Sequence, residues 1–171
     1  MKVQEFTSSF SKEMVWSTIC LNLVIFGALI YTIYTFANTH FGDATWYVTL
    51  FIILILVVTY LYAFMNQIKG VNVTNEAVII KKMMGDVTIP LNSIVRISSK
   101  SSMRTDIRIW GISGLYGHIG IFSDKVIGRY HAYVKDGNNL ITIETKDDNY
   151  VVSCNNAKNV VTILQKSLHL K

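Results

Sequence analysis

A chain of 171 residues with 51% hydrophobic and only 16% charged side chains lacks the polar surface of a wholly soluble globule, in which about a quarter of residues are charged. Its net charge of +5 is unevenly placed: no Lys or Arg lies between Lys12 and Lys69, whereas residues 69–171 hold 14 basic and 8 acidic side chains. If the first 65 or so residues are membrane-embedded, the remainder is expected to hold one soluble domain, and the two cysteines, Cys20 and Cys154, are too few and too separate for a disulfide framework or a metal knuckle.

Residues 1–15 read as a short cytoplasmic segment. Lys2 and Lys12 balance Glu5 and Glu13, so the positive flank of a cleaved signal peptide is missing. Trp16–Phe36 and Trp46–Met65 are runs of 21 and 20 residues without a formal charge. At about 1.5 Å per residue each spans roughly 30 Å, the thickness of a hydrocarbon core. Aromatic residues mark the ends: Trp16, then Tyr31, Tyr34 and Phe36; Trp46 and Tyr47, then Tyr60 and Tyr62. Residues 16–65 are thus expected to form a transmembrane hairpin, turning at Ala37–Thr45. The basic residues all lie outside it, so the positive-inside rule puts both termini in the cytoplasm, at the inner or plasma membrane. Asn22, the strongly polar side chain within the first run, is expected to bond the partner helix.

Residues 66–171 change to alternating patterns. Glu76–Met84 reads as a strand, Gly85-Asp86 turns into Val87–Ile89, and Pro90 stops that run. Ile94–Ser99 alternates, as does Arg129–Lys135, with Tyr130, Ala132 and Val134 on one face. Asp136-Gly137 signals a hairpin into Asn139–Thr145, and Tyr150–Cys154 follows the turn at Lys146–Asn149. A terminal amphipathic helix carries Ala157, Val160, Val161, Leu164 and Leu168 on one face, with Asn155 or Asn156 as its cap and Lys166 and Lys171 near its end.

This order of short antiparallel strands and a final helix resembles the pleckstrin-homology (PH) superfold. It resembles more closely the bacterial PH-domain proteins that carry two N-terminal transmembrane helices. Val87–Ile97 (VTIPLNSIVRI), Gly111–Phe122 (GISGLYGHIGIF) and Tyr130–Val152 carry the resemblance. It implies a membrane-anchored α+β protein: a two-helix hairpin, then a bent antiparallel sheet or barrel of about seven strands capped by a C-terminal helix. It also implies a binding role. In eukaryotic members, Lys and Arg around the first strand–loop–strand grip phosphoinositides. Lys81, Lys82 and the turn after them (MMGD) lack that pattern.

No constellation of residues reads as catalytic, and no cofactor or metal is expected. His40, His118, His131 and His169 are scattered without ligand spacing, and Asp147-Asp148 reads as a solvated turn. Two features stand out. Arg96, Lys100, Arg104, Arg108, Lys125, Arg129 and Lys135, against Asp106 and Asp124, form a basic cluster suited to an anionic leaflet. Gly111, Gly114, Gly117 and Gly120 recur every third residue among apolar side chains. That run is too flexible for an ordinary strand; it is either a loop docked on the domain's own core or an apolar lip offered to the bilayer or the transmembrane helices. Arg104, Arg108, Trp110, Tyr116, Lys125 and Arg129 are the expected contacts. The expected function is a non-enzymatic module that docks on anionic lipid headgroups or a protein partner, and not on nucleic acid. The rival is an accessory subunit of a larger membrane complex, assembled through the helices.

Overall fold

The computed structural model describes residues 4–38, 40 and 42–169, with side chains through Lys166. Lys2, Lys171 and the Leu168 and His169 side chains lie outside the described residues. The chain begins with a strand absent from the sequence-based reading, β1 (Gln4–Thr7). Helices α1 (Lys12–Asn38) and α2 (Ala44–Met65) follow, about 40 and 33 Å long. Both are long and apolar enough to cross a membrane. They bury only Met14, Thr32, Thr49 and Ala63, so they are not the core helices of a soluble fold. Asn22 Oδ1, expected to bond the partner helix, is buried and finds no hydrogen-bond partner among the described residues.

Nine strands and a helix complete the chain: β2 (Ile68–Val73), β3 (Ala77–Lys82), β4 (Val87–Pro90), β5 (Ile94–Lys100), β6 (Ile107–Ser113), β7 (His118–Asp124), β8 (Gly128–Val134), β9 (Leu140–Thr145), β10 (Asn149–Ser153) and α3 (Ala157–His169). They form two open sheets, β1-β2-β3-β4 and β5-β9-β10-β8-β7-β6. The first sheet and α3 cover one face of the second. Val71, Val78, Ile80, Ile97, Ile141, Ile143, Val152, Val160 and Leu164 meet there as the main core. Alternation sends the neighbouring side chains to the other face, where Leu140 and Val151 join Phe122, Tyr130, Ala132 and Val134.

The structure corrects two local expectations. Asp136-Gly137 does not close a hairpin between β8 and β9; β10 lies between them, antiparallel to β9 and parallel to β8. The glycine run is not a loop but a β-hairpin, with Gly111 and Gly120 facing each other across β6 and β7. At Gly120, φ is +130° and a Cβ would overlap the Trp110 carbonyl oxygen, so the glycines let two backbones close where a side chain would hold them apart. At α3, the Asn155 side chain accepts from Ser9 instead of capping, while the Asn156 carbonyl, at φ +59°, accepts from Val160 N.

The N-terminal segment is stitched into the later domain. β1 pairs antiparallel with β2, Ser8 N donates to the Lys69 carbonyl at 2.8 Å, Asn155 N to the Thr7 carbonyl at 2.8 Å, and Ser11 N to the Lys135 carbonyl at 3.3 Å.

Candidate functional site

The β6–β7 hairpin turns at Gly114–Gly117 and seats its tip on both apolar helices. Thr18 of α1 brackets the turn: its hydroxyl donates to the Gly114 carbonyl at 3.1 Å and accepts from Tyr116 N at 3.3 Å. The approach is close, for a Cβ on Gly114 would stand 2.8 Å from Ser17 Oγ and 3.0 Å from a Leu21 methyl. Tyr116, at φ +58°, bonds the Tyr60 hydroxyl and meets the rings of Tyr60 and Phe64 edge-on, with centroids 5.7 and 6.4 Å away. Burial and the bond to Tyr60 push the Tyr116 phenol up to about 12, so it stays neutral.

Trp110 stacks on Tyr62 of α2, centroids 6.2 Å apart and planes 15° from parallel, yet remains 60% exposed. Ile107 and Ile109 beside it are also exposed, on a strand that forms the free edge of its sheet. The tip of the hairpin and Trp110 are thus applied to the helices, while Phe122 of the same hairpin packs in the domain's second core.

The six expected contact residues do not form one patch. Trp110 and Tyr116 lie against α2, and Arg104 faces Glu13 at the start of α1 across 3.9 Å, both side chains open to solvent; such a pair adds little. Arg108 pairs with Phe122 across the hairpin; burial of His118 and then the Arg108 charge lower the His118 pKa, against an opposing pull from Asp106. Arg129 pairs with Ser123 and Lys125 follows Asp124, at the end of the sheet opposite the tip. Five strand residues, Tyr130–Val134, lie between Arg129 and Lys135, a rise of roughly 20 Å.

Lys100 leaves the basic face. It is 10% exposed and its ammonium is shared by Asp124 and Asp106, the latter at 3.1 Å. Asp106 also accepts from the Tyr130 hydroxyl, and burial beside that carboxylate raises the Tyr130 pKa. The lysine holds the Asp124 carboxyl below its usual range. Lys100 and its two carboxylates form a low-dielectric pin between β5, β7, β8 and the loop before β6, polar but committed to structure.

The sequence reading missed a second group of cations at the join between helices and domain. Lys69 follows α2 and is exposed, Lys82 sits opposite Ile68, and Lys135 lies beside Ser11. Lys81 is paired with Asp86 at 2.6 Å. Thr18 and Tyr60 were also missed. Ser17-Thr18 within the first apolar run, and Tyr60 with Phe64 four residues later on the second, were the available signals.

A family model described as a bacterial PH domain matches residues 69–168. No curated protein and no solved structure gives a significant match.

Proposed function

Because this chain belongs to the bacterial PH domain family, we propose that it is a membrane-anchored, non-catalytic binding module whose domain docks on the anionic lipid surface beside its own helices. The observation that carries this is the three-point attachment of domain to helices: β1 before α1, β2 after α2, and the hairpin tip against both. A domain held in that way works at a fixed height over the bilayer, and its effective concentration for that surface is high.

In this reading residues 16–36 and 46–65 cross the membrane and residues 66–171 face the cytoplasm. Pairing of β1 with β2 supports one side for both termini. The placing of Arg104, Trp110 and Tyr116 near the helices supports contact with the headgroup layer, where amphipathic aromatics and cations are favoured. Arg108 continues that surface, and Lys125 and Arg129 offer charge at the domain's far end.

Hydrogen exchange on full-length protein in nanodiscs tests the reading. Amides of residues 104–116 are expected to exchange more slowly in phosphatidylglycerol-rich discs than in phosphatidylcholine. Identical exchange in the two refutes lipid docking. Recovery from native membrane only as a fixed-ratio complex with another membrane protein favours the accessory-subunit reading instead.

A further inference from the structure

Three lysines at the join have no carboxylate within ion-pair distance among the described residues: Lys69, Lys82 and Lys135. Each is fixed where the chain enters or leaves a helix. The Lys69 and Lys135 carbonyls accept from Ser8 and Ser11, so both line the short lead into α1. The Lys82 ammonium donates to Asn66 Oδ1, on the residue that ends α2, at 3.0 Å. Lys135 is the unusual one. It is only 7% exposed, its ammonium rests 4.6 Å from the centroid of the Phe10 ring, and burial, with the like charge of Lys69, lowers its pKa. An ammonium partly withdrawn from water, with no carboxylate within ion-pair distance among the described residues, is held at a cost that an incoming anion relieves.

A second feature says which anion. Next to the same Phe10 ring runs an apolar groove of about 170 Å³ lined by Phe10, Val15, Thr18, Ile19 and Tyr116. Val15 and Ile19 lie one and two turns into α1 from Ser11, so the groove leads from the lysines toward the hydrocarbon layer. A free phosphate would leave the groove empty. A phospholipid carries its phosphate and its chains in this order.

Resting on the reading that the helices span the bilayer and the domain docks on anionic lipid, we propose that the join is a site for one anionic phospholipid. Its phosphate is held by Lys69 and Lys135, with Lys82 as the neighbouring cation, and part of one acyl chain lies in the Phe10–Tyr116 groove. The lipid supplies the counter-ion that Lys135 lacks and is a structural component of the joint, not only a surface on which the domain rests.

The test uses full-length protein in phosphatidylcholine nanodiscs, with phosphatidylglycerol as the probe. Apparent melting temperature and the number of phosphatidylglycerol molecules retained through delipidation are measured. The expected result is a higher melting temperature with phosphatidylglycerol and one molecule retained. Lys69→Gln, at an exposed position whose packing is untouched, is expected to weaken retention about fivefold. Lys135→Met keeps the stem and removes the charge; it is expected to abolish the phosphatidylglycerol-dependent rise while melting no lower than the parent in phosphatidylcholine. Lys158→Gln on α3 should change neither readout. A rise that survives both substitutions overturns the site but leaves the docking function standing, whereas no effect of phosphatidylglycerol on the parent protein overturns both. Inorganic phosphate that reproduces the rise in phosphatidylcholine discs assigns the lysines to a soluble anion and overturns the phospholipid. If Lys135→Met fails to fold, Lys69→Gln decides alone, and unchanged retention there overturns the site.

Discussion

Thr18 shows how one side chain couples an apolar helix to a sheet of the later domain. Its hydroxyl gives one hydrogen bond to the tip of the β6–β7 hairpin and takes another, and Thr→Val preserves shape while removing both. The change leaves a backbone carbonyl and an amide without that partner, at a cost of about 1–3 kcal/mol each when desolvated. Thr18→Val is therefore expected to lower the apparent melting temperature of the full chain in nanodiscs and to speed exchange of the Tyr116 amide. An unchanged melt would mean that the tip is held by its rings alone. His118 makes a second prediction. Its Nδ1 is 2.6 Å from Ser113 Oγ, and burial and Arg108 lower its pKa below the ordinary 6.5, with Asp106 pulling the other way. The unfolded chain then takes up the proton first, so stability is full above 6.5 and falls as pH drops from 6.5 towards the lowered folded value, levelling off below it. His118→Gln should flatten that part of the stability–pH curve, and the imidazole signal by NMR should titrate below 6.5.

At the scale of elements, α3 is a structural cap. Its Ala157, Val160, Val161 and Leu164 are buried against the main core, Leu164 completely. Leu164→Ala is expected to cost about 2–5 kcal/mol, read as a drop in the melting temperature of the full-length protein; a shift of under a degree would show that α3 does not pack. This helix was legible because its period is local, and so were β3, β4, β5, β8, β9 and β10, whose alternation shows within a few residues. What escaped was pairing between distant segments. Asp136-Gly137 specifies a reversal, but whether β9 or β10 then lies beside β8 is decided by side chains across the sheet. β1 is four residues long, and its partner strand lies beyond two helices. The glycine run was misread because its strand character resides in a close backbone approach, which leaves no apolar alternation to find. Lys100 read as a free cation because Asp106 and Asp124 reach it only after β5, β7 and the loop before β6 are assembled. The lysines at the join were invisible as a group for the same reason: Lys69, Lys82 and Lys135 come to the ends of the helices only when the chain has folded back past both.

For the whole molecule, the N-terminal strand sets a condition on topology. A chain whose helices cross a bilayer can pair β1 with β2 only if residues 4–7 and 68–73 lie on one side, and the proposed reading, from the distribution of Lys and Arg, takes that side to be the cytoplasm. A cysteine introduced at His40 should be labelled by an impermeant reagent in intact cells, in a background lacking Cys20, and one at Asn138 should be spared; the reverse pattern refutes the orientation. Native Cys154 will not interfere, since burial pushes its thiol up to about 12.

The same strand gives the chain a way of registering its own insertion. β1 is synthesised first but has nothing to pair with until α1 and α2 have both been made and β2 has emerged. A molecule that leaves its N-terminus on the wrong side can still fold most of the domain, but β2 then shows a bare row of amides and carbonyls ending at Gly70, whose missing side chain was reserved for the close pass of Phe6. Such an edge is what quality-control proteases and aggregating neighbours recognise. If the helices span a bilayer, four residues ahead of the first one thus separate molecules whose β2 is paired by their own N-terminus from inverted ones whose β2 edge stays bare.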